Sequence, residues 1–320
     1  MTTNVFFAKK DKERLIAYKN AKNQNVFIMI GNSEYAPSIR DVLICDDSYN
    51  IKMVIKNAFE LSIVQEKNME IGIKTKHIWK PLLQRNIQKE LDFDVPALYR
   101  AKRDLSILIQ KLQEILLYIE PSEEGLKTYS HKLRELLILA CTEIESSFKF
   151  YNLGKNERTS DYVKILELVD LTKYKISLIG YSNPYKCCPF ADWNTAEPTK
   201  SIGWYNAYNQ SKHSRESSFN LSTLENCINA ISANIIVFAI RYSPQMLYNE
   251  SDVCSNLVRG AIDFRIEDSD DFYIPIFEGQ RSHSGVYTVP YNFKNGQKIE
   301  NIYDIVNSLP MTKKEYKSSP

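Results

Sequence analysis

Three stretches between residues 98 and 245 repeat apolar side chains at intervals of three and four, a period that commits each to a helix with one buried face. The first stripe is Leu98, Ala101, Leu105, Leu108, Leu112, Ile115 and Ile119, closed by Pro121. The second is Leu133, Leu136, Leu137, Ala140, Cys141, Ile144, Phe148 and Tyr151, entered through Ser130 as N-cap and left at Asn152–Gly154. The third is Leu224, Ile228, Ile231, Ile235, Phe238 and Tyr242. It is announced by Ser222-Thr-Leu-Glu225, a spacing in which hydroxyl and carboxylate each satisfy an unpaired backbone N–H. Faces of this kind bury one another, so the centre of the chain is expected to pack as a helical bundle.

The flanks read differently. Val26–Ile30 and Val42–Cys45 suggest short buried strands, Ile51, Val54, Ile55, Ala58 and Leu61 recur at helical spacing, and Ile71, Ile73 and Thr75 alternate as a strand would before Pro81. Inside the centre, a short helix is expected over 161–170 after Thr159-Ser160, then a brief strand through Tyr174, Ile176 and Leu178. Residues 183–198 carry three prolines and several aromatics, which predicts a long ordered loop able to wall a site. Beyond 245, an acidic patch (Glu267, Asp268, Asp270, Asp271) precedes β-like pieces at Phe272–Phe277 and Val286–Phe293, with a hairpin turn at 280–285 and a polar tail from 311. The expected fold is therefore mainly α: a helical bundle over 96–245, with small α+β additions at 1–95 and 246–320.

Charge and motif content exclude several function classes. Lys plus Arg number 41 against 39 Asp plus Glu in 320 residues, so no global positive field exists and nucleic-acid contact must be local. Ten scattered glycines form no phosphate loop or dinucleotide fingerprint, and no GxSxG elbow is present. Six dispersed cysteines suit reduced thiols and a cytoplasmic address, and the adjacent Cys187-Cys188 lacks zinc-site spacing, so no metal or other cofactor is expected. The first residues turn charged within ten positions, and apolar runs such as Ile235–Ile240 fall short of the roughly 20 residues that span a bilayer, so no membrane segment is expected.

One polar cluster is suited to chemistry. If 204–216 is helical, Asn209 and His213 lie one turn apart on one face, beside Tyr208 and Lys212, with Trp204 before them and Arg215 after. An imidazole exchanges protons near neutral pH, a nearby cation steadies a phosphate, and aromatic faces accept bases. The three helices and Tyr208-Asn-Gln-Ser-Lys-His213 resemble the HEPN superfamily of helical ribonuclease and nucleotide-binding domains over 98–245. In its motif an Arg, a polar residue and then His stand near the start of a late helix; Asn209 and His213 occupy the last two places, and Tyr208 stands where the Arg is found. A phenol lacks the permanent charge of a guanidinium, so Lys212 or Arg215 has to substitute.

The resemblance implies metal-independent RNA cleavage by a homodimer in a bacterial toxin or antiviral defence system, with a neutralising or regulatory protein partner. His213 would be the acid/base, Asn209 would orient substrate, Lys212 and Arg215 would neutralise charge, and Tyr208 and Trp204 would bind substrate. The rival expectation is a non-catalytic module of the same kind that binds RNA, nucleotide or a partner protein. Blander readings make Trp204, Tyr205 and Tyr208 core or interface residues, Glu143 and Glu145 a solvated helix face, His131 a helix-start surface residue, His77 and His283 structural, and the basic runs at 9–14 and 100–103 solvated.

Overall fold

The computed structural model describes residues 2–10, 13–32, 35–45, 50–57, 59–72, 75, 77–213, 218–248, 251–266, 271–277, 291–293 and 297–299. They divide into two compact units: one built from the segments 1–33, 37–73 and 273–320, the other from 34–36 and 74–272.

The first unit is dominated by an antiparallel sheet of β1 (Thr2–Lys10), β2 (Glu13–Lys19), β3 (Asn25–Asn32), β4 (Pro37–Cys45) and β5 (Ser62–Glu70), in the order β4-β3-β2-β1-β5, with helix α1 (Ile51–Asn57) between β4 and β5. Register explains its core. Phe6 pairs with Ala17, Ala17 with Phe27 and Phe27 with Leu43, so alternate residues of four strands share one face. That face packs against Ile51, Val54, Ile55, Phe59 and Leu61. The opposite residues, among them Ile16, Tyr18, Val26 and Ile28, are equally buried, and the segment 273–277 belongs to this unit. There the Tyr18 hydroxyl donates to the Pro275 carbonyl (2.6 Å) and accepts from the Phe277 N–H (3.0 Å); burial pushes its pKa up to about 12. Gly72 donates to the Ile274 carbonyl with φ of 64°, and a Cβ there would lie 2.4 Å from the Ile276 side chain, so any other residue would be strained and would displace Ile276.

The second unit begins with α2 (Ile87–Leu91) and α3 (Val95–Leu116), the latter capped by Asp94. A short α4 (Glu123–Leu126) leads to α5 (His131–Lys149), whose Ser130 side chain accepts from the Leu133 N–H. The short α6 (Thr159–Tyr162), β6 (Tyr174–Leu178), β7 (Lys186–Cys187) and α7 (Gly203–His213) follow. Then come α8 (Leu224–Tyr242), α9 (Gln245–Tyr248), α10 (Val253–Ala261) and β8 (Ile262–Ile266). Strands β7, β6 and β8 form an antiparallel sheet in that order. A last hairpin pairs β9 (Tyr291–Phe293) with β10 (Gln297–Ile299) in the segment assigned to the first unit.

Helix α8 is the centre of the second unit: 15 of its 19 residues are buried. Among the described residues it is the one helix long and apolar enough to cross a membrane, and 78% of its apolar window lies inside the unit. Around it, Asn234 bridges to the Ala140 carbonyl of α5 and Cys187 of β7 reaches Ser232. The ion pairs Lys111–Glu135 (3.2 Å) and Lys132–Glu114 (2.7 Å) join α3 and α5 in antiparallel register.

The mainly α bundle with minor additions is thus overturned: a five-stranded sheet and a three-stranded sheet make the chain α+β. The expectation failed because β1, β2 and β5 carry Lys, Glu and Arg among their apolar residues and show no clean alternation. The strand expected around Ile71 and Thr75 is instead β5, which ends at Glu70. The third long helix is capped by Thr223, not Ser222. The helix expected over 161–170 is one α turn followed by a 3-10 turn at Val163–Glu167. Residues 272–277 form no regular strand, and the turn at 280–285 and the tail from 311 lie outside the described residues, as do Glu267, Asp268, Asp270 and His283.

Replacing Tyr18 by Phe removes a donor and an acceptor at once from part-buried backbone, a loss of about 1–3 kcal/mol in unfolding free energy. Denaturant titration of Tyr18→Phe should show that loss; an unchanged midpoint would contradict the anchoring of 273–277.

Candidate functional site

Helix α7 is held from below by aromatic packing. Trp204 donates its indole N–H to the Pro189 carbonyl (2.8 Å), and Phe190, Trp193 and Phe148 gather beside it with ring centroids 5.3 to 6.3 Å apart. The proline-rich loop thus folds its aromatics inward, and Phe190 and Trp193 are buried. The end of α7 is fixed to the start of α8: Ser222 donates to the Ser211 hydroxyl (3.2 Å), which donates to the Ser218 carbonyl (3.1 Å). That use of Ser222 leaves the capping of α8 to Thr223.

Along this helix runs a series of polar contacts. The Tyr205 hydroxyl donates to the Glu145 carboxylate of α5 (2.7 Å). Burial, and then the bond to Glu145, hold the Tyr205 phenol far above its usual pKa, so it keeps its proton. One turn on, Lys212 donates to the Tyr208 hydroxyl (3.1 Å) and lies 5.3 Å from that ring's centroid. This bond, followed by the charge interaction with Tyr208, raises the Lys212 pKa, so its ammonium is a fixed cation and not a proton acceptor at neutral pH. Asn209 is half-buried, and among the described residues its side-chain amide makes no hydrogen bond. Arg134 of α5 donates to the Ser211 carbonyl in the last turn of α7 (2.9 Å), while its buried Nε lacks a partner. A guanidinium on helix-terminal carbonyls also complements the negative end of the helix.

The expected site residues therefore divide. Asn209 and Lys212 lie on the last two turns of α7, and the helix continues through His213, which keeps Asn209 and His213 four positions apart. The His213 side chain and all of Arg215 are outside the described residues. Trp204 and Tyr208, expected to bind substrate, are 4% and 1% exposed, so neither offers a face for base stacking. Glu145 serves Tyr205 and Glu143 is half-buried, so neither belongs to a solvated face. His77 contacts the Leu91 carbonyl (2.9 Å), and His131 packs on Phe219.

Sequence reasoning missed Arg134. Its partner is 77 residues away and no local pattern marks it; only its place one turn before the buried Leu137 hints that it points toward a neighbour. Among the described residues no group of three His, Cys, Asp or Glu is arranged to hold a metal, and Cys141, Cys187, Cys227 and Cys254 are in no disulfide.

Arg134→Ala should loosen the last turn of α7 by about 1.5–3 kcal/mol, the range for a charged donor on a carbonyl. Amide hydrogen exchange at 209–213 checks this: faster exchange is expected, and unchanged protection would show that Ser211 and Ser222 alone hold the turn. Comparison with protein-family models, with curated proteins and with solved structures finds no match for this chain.

Proposed function

We propose that the helical unit is an RNA-directed effector that cleaves RNA without a metal, using the polar end of α7. The observation that carries the reading is the Arg134 guanidinium on the Ser211 carbonyl, two residues before His213. It supplies, from a neighbouring helix, the permanent charge that Tyr208 lacks at the motif's Arg place. Support also comes from Lys212, positioned by its bond to Tyr208, and from the Asn209 amide, which makes no hydrogen bond among the described residues.

On this reading the imidazole of His213 takes the proton from a ribose 2′-hydroxyl, whose oxygen attacks the adjacent phosphorus. The bond to the 5′-oxygen breaks, that oxygen is protonated by a second imidazole, and a cyclic phosphate remains. Arg134 and Lys212, joined by Arg215, neutralise the charge that builds on the phosphorane, and Asn209 orients the ribose or phosphate. A homodimer supplies the second imidazole. The HEPN resemblance adds the biological setting: a cytoplasmic toxin or antiviral effector, away from membranes, restrained by a partner protein.

A second reading is favoured by one observation: Tyr208, at the place of the family Arg, is fully buried and bonded to Lys212. A chain that has built this position into its core is suited to be a non-catalytic module binding RNA, nucleotide or a partner protein.

Incubating the full chain with single-stranded RNA in EDTA separates the two. Cleavage that falls about a hundredfold or more in His213→Ala is the expected result. A clean wild-type protein that binds RNA stably and leaves it intact would overturn the enzyme and favour the module.

A further inference from the structure

A groove of about 270 Å³ lies between α3, α5 and α8. Its apolar lining includes Leu105, Leu108, Val237 and Phe238, and its polar groups are distributed unevenly. The Lys111–Glu135 and Lys132–Glu114 pairs set α3 and α5 antiparallel, which brings Asp104 level with Glu143, and Arg100 level with Ser146 and Ser147. Helix α8 runs the same way past them: Asn234, bonded to the Ala140 carbonyl, is near the carboxyl end, and Arg241 and Tyr242 are near the Arg100 end. The groove is therefore bipolar, with its two carboxyls and two guanidinia separated along α3 by one helical turn, about 6 Å at 1.5 Å per residue.

These charges do not satisfy one another. Among the described residues, no ion pair joins Arg100 or Arg241 to Asp104 or Glu143, although Arg100 and Asp104 stand four apart on one helix. The Arg241 guanidinium is stacked 3.7 Å from the centroid of the Phe150 ring, and its buried Nε has no hydrogen-bond partner. Burial, and then the charge of Asp104, push the Glu143 carboxyl up. Among the described residues, the two carboxyls at one end make no ion pair and the Arg241 guanidinium at the other makes no hydrogen bond. Opposite charges one turn apart, without ion pairs of their own among the described residues, are complementary to a ligand that carries both signs.

We propose that this groove binds a small zwitterion with its ammonium and carboxylate about 6 Å apart, the chemistry of a free dipeptide or an ω-amino acid. The ammonium sits between Asp104 and Glu143, and the carboxylate meets Arg100 and Arg241, whose planar forks suit it. The apolar floor accepts the intervening chain. This site shares no residue with the polar end of α7, so it stands whether or not the protein cuts RNA.

Isothermal titration of the full chain tests it with glycylglycine and γ-aminobutyrate as zwitterions, and butylamine and butyrate as half-charged controls. Both zwitterions are expected to bind, with each control about tenfold weaker or worse, the loss expected for one charged hydrogen bond. Asp104→Asn, at an exposed position without a hydrogen-bond partner among the described residues, should weaken zwitterion binding similarly without touching the fold. Arg241→Gln should do the same from the other end, and circular dichroism reports whether loss of packing on Phe150 contributes. Absence of zwitterion binding at millimolar concentration overturns the proposal; so does butyrate or butylamine binding as tightly, or Asp104→Asn binding like wild type.

Discussion

A helix with 15 of its 19 residues buried has to be enclosed on nearly every side, and that demand on α8 governs the second unit. Leu224 to Tyr242 offers water almost nothing, so α5 closes one side, α3 another, and α7 and β7 take further parts of its surface. Even the approach to α3 is used: the Trp79 N–H donates to the Ile240 carbonyl near the end of α8, and the Trp79 side chain is buried. Asn234 on α8 is satisfied by donating to both the Ala140 and the Ala230 carbonyls, whereas the buried Nε of Arg241 near the end of the helix lacks a partner.

Enclosing α8 also decides where chemistry is allowed. Helix α7 is 11 residues long against 19 in α5 and in α8, and its apolar side is spent on Trp204, Ala207 and Tyr208. What remains toward solvent in its last two turns includes Gln210 and Lys212; α5 directs Glu145 at Tyr205 in the first turn and Arg134 at the Ser211 carbonyl in the last. The groove between α3, α5 and α8 arises from the same packing: three helices that meet along apolar stripes leave their charged residues at the rim, and Glu143 and Arg241 are drawn partly inside. Both polar regions are by-products of one core, which is why residues of α5 contribute to each.

The long helices were legible because burial against one another needs a period that sequence displays directly, and Ser130 was legible because its capping hydroxyl acts within three residues. The sheet of the first unit was mostly not. Strand β5 is exposed along much of its length and carries Gln65, Glu66, Lys67 and Asn68, so its strand character comes from pairing with β1, information held 60 residues away. In α8 the readable stripe was only part of the buried surface, since Cys227, Ser232 and Asn234 are buried too. At the α7 end, the spacing of Asn209 and His213 was visible and the contribution of Arg134 was not, because a side chain that serves a distant helix leaves no local trace. The burial of Tyr208 and Trp204 follows the same logic: aromatics at helical spacing fit core and site equally until the neighbouring loop is known.

The central claim is that the polar end of α7 meets RNA through His213. The chain has four histidines, so their imidazole signals can be told apart by NMR and the His213 signal assigned by its loss in His213→Asn. On adding single-stranded RNA in EDTA, the account predicts that the His213 ring resonances shift while those of His77, tied to the Leu91 carbonyl, stay in place. RNA that leaves the His213 ring unperturbed while binding elsewhere on the chain would contradict it.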